Sequence, residues 1–224
     1  MNIKTFLAAG AGALALAASA APAHAYLFGY SDGGNNGTIV QLTLDGTTVV
    51  NSFDTGWYNG ADHTTDNTNY IVVRPGDFGT NGYNNWFAFD LSNLTGSFST
   101  ATLTFNSYDV TETANYQLFD FGGSISSLVA GTGGLSAFND LGSGNSYGVF
   151  GYSPSDSYNS RTLALNAAAV ADINRAVGGQ FALGGTLEPS SGAVPEPATW
   201  AMMLLGFFGL GGALRARKAA AAVA

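Results

Sequence analysis

The sequence predicts an all-β fold, a β-sandwich of jelly-roll type, for residues 26–187. Three observations support this class: short runs with β-strand alternation recur between turn residues, glycine is abundant with 31 residues, and aromatic residues make up 12% of the chain. The content of aromatic and β-branched residues is too high for a disordered segment. We therefore expect about nine short strands and one late helix around a single core.

The strongest local pattern is a hairpin near the start of this segment. Residues 38–44 alternate in polarity, Asp45-Gly46 follows, and a second β-rich run covers 47–53. Two such runs joined by Asp-Gly predict a two-residue turn, which places Leu44 opposite Thr47.

The remaining elements are predicted from alternation and from helix caps. Asn166 is the expected N-cap of a helix at 167–177, which Gly178-Gly179 would end. The glycines between 122 and 134 and the segment 138–148 predict loops and turns. Further strands are expected at 26–30, 70–74, 86–91, 101–110, 116–121, 149–152, 161–165 and 180–183, and residues 54–69 are expected to form a loop. Alternation predicts that Asp90 faces solvent and that the apolar positions of these strands point inward, among them Leu42, Phe87, Phe89, Leu103 and Phe105.

The first 25 residues have the composition of a signal peptide. Lys4 supplies the basic start, residues 6–18 form an apolar run, and Ala23-His24-Ala25 has the small-x-small form that signal peptidase cleaves. Cleavage there would make Tyr26 the first mature residue. An N-terminal membrane anchor is the alternative, but the apolar run is short and a cleavage site follows it.

The C-terminal segment combines a proline-containing motif, an uncharged apolar run at 198–214 and a basic end. As a helix the run would cover about 25 Å, at the short end for crossing a bilayer core. The basic residues would keep the following tail in the cytoplasm and the domain outside. A buried core helix is the alternative, but it would need protein on every side. The motif is Val194-Pro195-Glu196-Pro197, and the basic residues are Arg215, Arg217 and Lys218.

These residues, in this order, closely resemble the PEP-CTERM sorting signal of Gram-negative bacteria. The resemblance implies that exosortase, a membrane-embedded cysteine transpeptidase, recognises Pro195, Glu196 and Pro197 and releases or transfers the outer part. The two prolines hold an extended backbone, which leaves the motif accessible outside the membrane. The chain would then consist of a signal peptide at 1–25, a β-sandwich domain at 26–187, a linker at 188–193, the sorting segment with its transmembrane helix at 194–218, and a tail at 219–224.

The middle of the chain has a looser resemblance to a domain common in PEP-CTERM proteins, which is similar in pattern to jelly-roll carbohydrate-binding modules. It implies a fold and does not name a ligand. The segments that carry it are 85–92, 101–105, 140–148 and 165–174.

The charge and the absence of cysteine exclude several classes of partner and chemistry. Between 26 and 193 three arginines face fourteen acidic residues, a net charge of −11, and there is no lysine. Nucleic acid and anionic membrane surfaces would be repelled, so neither is an expected partner. Without cysteine there is no thiol catalysis, haem attachment or thiolate zinc site, and stability must come from core burial.

The candidates for catalysis are few. His63, next to Asp62 and near Asp66, could be a metal ligand or a general base, or simply a solvated loop histidine. A Ser-His-Asp triad would have to use His63, because the predicted mature chain has no second histidine. Paired carboxylates could support glycoside hydrolysis, but Glu112 and Glu188 are the only glutamates between 26 and 193.

Two kinds of binding site remain as hypotheses. Structural calcium could lie at Asp140, at Asp156, or at Asp32 with Asn35, although turn capping by aspartate is the alternative and no Asp-x-Asp-x-Asp-Gly loop is present. Trp57 and Trp86 are candidate glycan contacts, because rings stack on sugar faces while polar neighbours bind hydroxyls. The alternative is that these rings cap the core, together with Tyr58, Tyr83, Tyr147 and Tyr152.

The sequence thus predicts an exported protein of the cell surface or extracellular matrix that needs no cofactor. Its expected role is non-enzymatic, structural or adhesive in exopolysaccharide or biofilm, with exosortase, signal peptidase and extracellular polysaccharide as partners. A carbohydrate-binding module is the second hypothesis, and a glycoside or ester hydrolase is the third.

Overall fold

The computed structural model describes residues 40–65, 69–75, 81–111 and 113–188. Nine strands and three α-helices lie in this part of the chain, and every strand pair is antiparallel. The all-β prediction is confirmed. In chain order the elements are β1 Gln41–Leu44, β2 Thr48–Tyr58, β3 His63–Thr64, β4 Asn84–Asp90, β5 Ala101–Asn106, β6 Ala114–Asp120, α1 Ile125–Val129, α2 Gly134–Leu141, β7 Ser146–Tyr152, β8 Ser160–Ala164, α3 Ala167–Ala176 and β9 Gln180–Leu187.

Strand β2 belongs to both sheets of the sandwich. Its first half pairs with β1, and after an irregularity between Ser52 and Asp54 its second half pairs with β4. The first sheet contains β1, β5 and β8 beside β2, and the second contains β4, β9, β6 and β7, with β3 on β2. Because β2 is shared, the strand order is continuous: β7-β6-β9-β4-β2-β1-β5-β8. The jelly-roll resemblance therefore has only loose support.

The two end strands of this order, β7 and β8, lie next to each other. The Arg161 guanidinium of β8 donates a hydrogen bond to the Gly151 carbonyl of β7 at 2.7 Å. At the other end of the strands, the Asn166 side chain donates to the Ser146 carbonyl at 2.7 Å. These bonds nearly close the sheet and occupy part of the backbone that an edge strand would expose.

The main core lies between the inner faces of the two sheets. Residues predicted to point inward do so, including Leu42 of β1, Phe87 and Phe89 of β4, and Leu103 and Phe105 of β5, all with no exposed surface. Burying each such side chain contributes about 1.5–3 kcal/mol before entropy is counted. Asp90, predicted to face solvent, is exposed.

Helices α1 and α2 cover the outer face of the second sheet, where loops and turns were predicted. Leu128 of α1 and Leu141 of α2 pack on Trp86 and Ala182 in a second hydrophobic cluster. The prediction of a single helix is therefore wrong. The local sequence hid these helices because α1 is only five residues long and α2 begins at a glycine, so packing on the sheet stabilises them more than propensity does.

Helix α3 confirms the predicted helix within one residue. The Asn166 side chain caps its first turn by accepting hydrogen bonds from the backbone N–H groups of Ala168 and Ala169 at 3.0 and 3.1 Å. Ala169 and Ile173 are fully buried and join the main core. The helix thereby closes the core beside β7 and β9.

The predicted hairpin forms, but its register differs by one residue. Leu44 pairs with Thr48, so the loop has three residues instead of two. The Asp45 carboxylate accepts hydrogen bonds from the backbone N–H groups of Ser99 and Thr100, both at 2.8 Å, and these bonds hold the pKa of Asp45 below its usual value. Tertiary contact with the segment before β5 thus helps to fix the turn.

Two further predictions need correction. Residues 70–74 form one isolated bridge, Val73 with Tyr83, in place of a strand. Residues 54–58, predicted as loop, extend β2, because Thr55 and Gly56 pair with β4. The predicted strand at 26–30 and the transmembrane helix at 198–214 lie outside the described residues. Within those residues, no helix has the length and apolarity to cross a bilayer.

Candidate carbohydrate-binding surfaces

The predicted processing residues cannot be placed in the fold. Ala23 and Ala25 of the signal peptide, Val194, Pro195, Glu196 and Pro197 of the sorting motif, and Arg215, Arg217 and Lys218 of the basic end all lie outside the described residues. So do Asp32, Asn35, Asp66 and Glu112.

Trp86 is a core residue and does not offer a ring to a surface ligand. It has no exposed surface and packs under α1 and α2 with Tyr58 and Leu128. This corrects the hypothesis of glycan contact at Trp86 and matches the alternative in which the rings complete the core. Tyr147 and Tyr152 are also buried, in the main core.

Trp57 lies at the end of β2 and is only partly buried. Its ring stacks on Tyr83 with a centroid distance of 4.5 Å and an interplanar angle of 10°. The indole N–H is shielded from solvent and has no hydrogen-bond acceptor among the described residues. One face of this indole is therefore covered by protein, and the glycan hypothesis at Trp57 stays a prediction.

His63 and the loop aspartates have local structural roles. The exposed His63 ring stacks on Tyr58 at 5.4 Å and lies against Gly131. The Asp140 carboxylate accepts from the backbone N–H groups of Gly122 and Gly123, and Asp156 forms a capping box with Ser153. Among the described residues, no three metal-ligating side chains are grouped closely enough to hold a metal ion.

A charged cleft of about 300 Å³ lies between β6, β9 and α3. The Tyr147 hydroxyl donates to the Asp172 carboxylate at 2.7 Å, and Arg175 pairs with the same carboxylate. Asp120 accepts from the backbone N–H of Asn145 at 2.6 Å and from its side chain. Burial, together with the charge of Asp120, raises the pKa of Tyr147. Each carboxylate lining this cleft is thus already engaged in a structural contact.

A second cleft of about 350 Å³ lies beside α2 on the outer face of the second sheet, and we call it the amide cleft. The Glu188 carboxylate accepts from the side-chain amides of Asn115, at 2.8 Å, and Gln117. The Asn84 amide donates to the Phe138 carbonyl at 2.9 Å. Amides offer both donors and acceptors, which is the combination that sugar hydroxyls bind. The lining is formed by Pro75, Asn81, Asn84, Gln117, Phe138, Asn139, Gly142, Thr186, Leu187 and Glu188.

The outer face of the first sheet carries two rows of uncharged side chains, and we call this surface the neutral face. Strand register aligns its side chains in two rows that cross β8, β5, β1 and β2. All of them are exposed or half-buried, while their neighbours on the inner side are in the core. One row is Thr162, Thr104, Gln41 and Asn51, and the other is Ala164, Thr102, Thr43 and Val49.

Sequence reasoning missed both the amide cleft and the neutral face. The amide cleft joins residues from β4, β6, β9 and α2, and no linear pattern relates them. Part of the neutral face is visible in the sequence, because β1 and β5 alternate buried apolar residues with polar ones. Strand pairing was still needed to show that the polar positions lie side by side.

Comparison with known proteins places the C-terminal segment. Residues 193–218 match the family model of the PEP-CTERM protein-sorting motif. Comparisons with curated proteins and with solved structures give no match.

The described residues form an all-β fold, and the sorting motif supports export as a membrane-anchored precursor that is processed at the cell envelope. The chain carries a PEP-CTERM sorting motif, and the processing enzyme which that motif implies is exosortase, a membrane protein.

Proposed function

We propose that the processed domain is a non-catalytic structural or adhesive component of the extracellular polysaccharide matrix or biofilm. Signal peptidase would remove residues 1–25, and exosortase would act at the Pro-Glu-Pro motif. The proposal of adhesion rests chiefly on the amide cleft, which presents side-chain amides around one carboxylate, that of Glu188, already held by two of those amides. Neutral sugars fit such a surface, because they bring no charge to be repelled.

The contacts around the carboxylates support binding over catalysis. A retaining or inverting glycosidase needs two carboxyl groups that face the substrate, one of them free to transfer a proton. Asp120 and Asp172 line the charged cleft, but Asn145 holds the first, and Tyr147 and Arg175 hold the second. In the amide cleft, Glu188 is held by two amides.

A carbohydrate-binding module for one defined glycan is the second candidate function, and the amide cleft would also serve it. The two roles differ in selectivity. A matrix adhesin should bind several neutral polysaccharides weakly, whereas a dedicated module should bind one glycan with saturation at low concentration. A glycoside or ester hydrolase is the third candidate, and it predicts turnover in a panel of such substrates.

The test uses processed protein recovered from its host and native gels that contain soluble neutral polysaccharide. We expect retarded migration of the natural protein and reduced retardation in Asn81→Ala and Asn139→Ala variants of the amide cleft. Asn93→Ala, an exposed change in the turn after β4, is the matched control and should migrate like the natural protein. Equal migration with and without polysaccharide, or turnover in the substrate panel, would overturn the proposal.

A further inference from the structure

We propose that the neutral face binds the flat surface of an ordered, uncharged polysaccharide. This inference rests on the proposed function of matrix adhesion and assigns it a second surface, separate from the amide cleft. The amide cleft is a cavity of about 350 Å³, whereas the neutral face presents eight side chains on one sheet of four strands.

The neutral face carries no charged side chain at its eight positions, although the domain has a net charge of −11. Asp45, on the turn between β1 and β2, is the acidic residue of that turn. Its carboxylate already accepts hydrogen bonds from the backbone N–H groups of Ser99 and Thr100. A charged polymer would gain no ion pair here, but an uncharged one could approach without repulsion or desolvation of charge.

The spacing and chemistry of the face suit rows of sugar rings. Neighbouring strands lie about 4.8 Å apart and alternate residues about 7 Å apart, so the rows form a regular grid about 14 Å wide. Each threonine offers a methyl group and a hydroxyl, and Gln41 and Asn51 add amides. Sugar rings likewise present apolar C–H faces bordered by hydroxyls, so both kinds of contact can form together.

Cross-strand contacts hold these side chains in place before any ligand arrives. The hydroxyls of Thr104 and Thr162 are hydrogen-bonded at 2.8 Å, and the Gln41 amide donates to Asn51 at 3.2 Å. Threonine is also stiff about its first side-chain torsion. Binding therefore costs less side-chain entropy than it would on a surface of long, mobile residues.

A second copy of this domain is a poorer occupant of the face. Face-to-face pairing would bring two domains of net charge −11 within about one Debye length, roughly 8 Å at physiological ionic strength. An uncharged polysaccharide meets no such repulsion, so we assign the face to it.

The test measures the fraction of processed protein that sediments with microcrystalline cellulose, used as a probe of an ordered uncharged surface. The double variant Thr43→Glu/Thr104→Glu places two carboxylates in the middle of the face, and we expect a loss of about tenfold in the partition coefficient because those charges would be desolvated. Ala168→Glu/Ala171→Glu makes the same charge change on the exposed side of α3 and should bind like the natural protein.

A second variant keeps the test decisive if the first fails to fold. Thr104→Val/Thr162→Val preserves shape and β propensity, removes two hydroxyls, and should lower binding about threefold. Full binding by a folded variant of either kind would overturn the inference, as would a natural protein that self-associates through this face. Retardation by soluble polysaccharide without binding to cellulose would refute this inference alone, whereas failure on both probes would refute the proposed function as well.

Discussion

The hydroxyl of Tyr116 donates a hydrogen bond to the Asn85 side-chain oxygen at 2.8 Å in the centre of the core. Asn85 in turn donates to the Tyr70 carbonyl at 3.0 Å. A Cβ at residue 185 would overlap both the Tyr116 hydroxyl and Asn85, so Gly185 leaves the space for this buried polar pair. The pair links β4 to β6 across β9, the strand between them.

Replacing Tyr116 by phenylalanine should lower the free energy of unfolding by about 1–2 kcal/mol, because the Asn85 oxygen is left buried without this donor. For a domain of this size the melting temperature should fall by about 2–8 °C. Calorimetry of the processed protein measures this. Tyr158→Phe, at a ring that is 68% exposed, is the control and should be neutral. An equal melting temperature for both variants would show that the buried bond contributes nothing.

The domain should lose stability as the pH rises above about 10, the value at which free tyrosine ionises. Burial raises the pKa of Tyr116, Tyr147 and Tyr152 in the folded state. Above pH 10 the unfolded chain releases these protons and the folded chain keeps them, so the free energy of unfolding decreases with pH, whereas below pH 10 these groups leave it unchanged.

The measurement follows tyrosinate absorbance and near-ultraviolet circular dichroism in one alkaline titration. The buried tyrosines should ionise together with the loss of the dichroism signal, after the exposed ones. If all tyrosines ionised in one step near pH 10 while the dichroism stayed native, the argument from burial would be wrong.

Gly184→Ala should destabilise the domain by about 1–3 kcal/mol through overpacking. A Cβ at this position of β9 would lie 2.8 Å from the carbonyl carbon of Leu141, which is backbone and cannot rotate away. Gly151→Ala on β7 is the matched control, since a Cβ there meets no atom within 4 Å. Urea unfolding of the two variants measures the difference, and equal midpoints would contradict the close packing of α2 on β9.

Arg161→Met should lower the free energy of unfolding by about 1–3 kcal/mol, because one guanidinium makes three contacts. It bonds Gly151, pairs with Asp156 at 3.4 Å, and lies 4.2 Å from the centre of the Tyr152 ring. Arg175→Met removes a cation whose side chain is 76% exposed and should cost at most about 0.5 kcal/mol. Thermal unfolding compares the two, and a larger loss at Arg175 would argue against closure of the sheet by Arg161.

Pro195→Ala/Pro197→Ala should block processing and leave a precursor with the basic end intact. Intact-mass spectrometry of envelope and medium from the host would show the natural protein as a fragment that starts at Tyr26 and ends near Pro195. Pro189→Ala changes a proline outside the motif and should be processed normally. If the double variant were processed and exported normally, the two prolines would not be needed for recognition by exosortase.

Alternation was enough to predict the inward faces of β1, β4 and β5, because a period of two assigns each side chain to the core or to solvent. The N-cap at Asn166 was also predictable from local sequence, because its side chain bonds backbone N–H groups only two and three residues later. Helices α1 and α2 escaped prediction because Leu128 and Leu141 stabilise them only by packing on Trp86 and Ala182. The hairpin turn is stabilised in part by the hydrogen bond from Thr100 to Asp45, 55 residues away, which local sequence does not reveal.

The candidate binding surfaces were also difficult to predict, because they depend on contacts between residues that are far apart in the sequence. In the sequence Trp86 comes directly after a predicted loop, so exposure to solvent was a reasonable expectation. In the fold, α1 and α2 pack over Trp86 and bury it. The amide cleft brings Asn84 near Glu188, more than a hundred positions later, and only the pairing of β9 between β4 and β6 joins them.

Strand β9 is the last strand before the sorting motif in the described part of the chain, and it lies inside the second sheet with β4 on one side and β6 on the other. Tension on the C-terminal end would therefore load two hydrogen-bond ladders in shear, all at once, instead of peeling one strand from a rim. While the precursor is anchored at its C-terminal end, such a fold would resist being unfolded by a pull on that anchor.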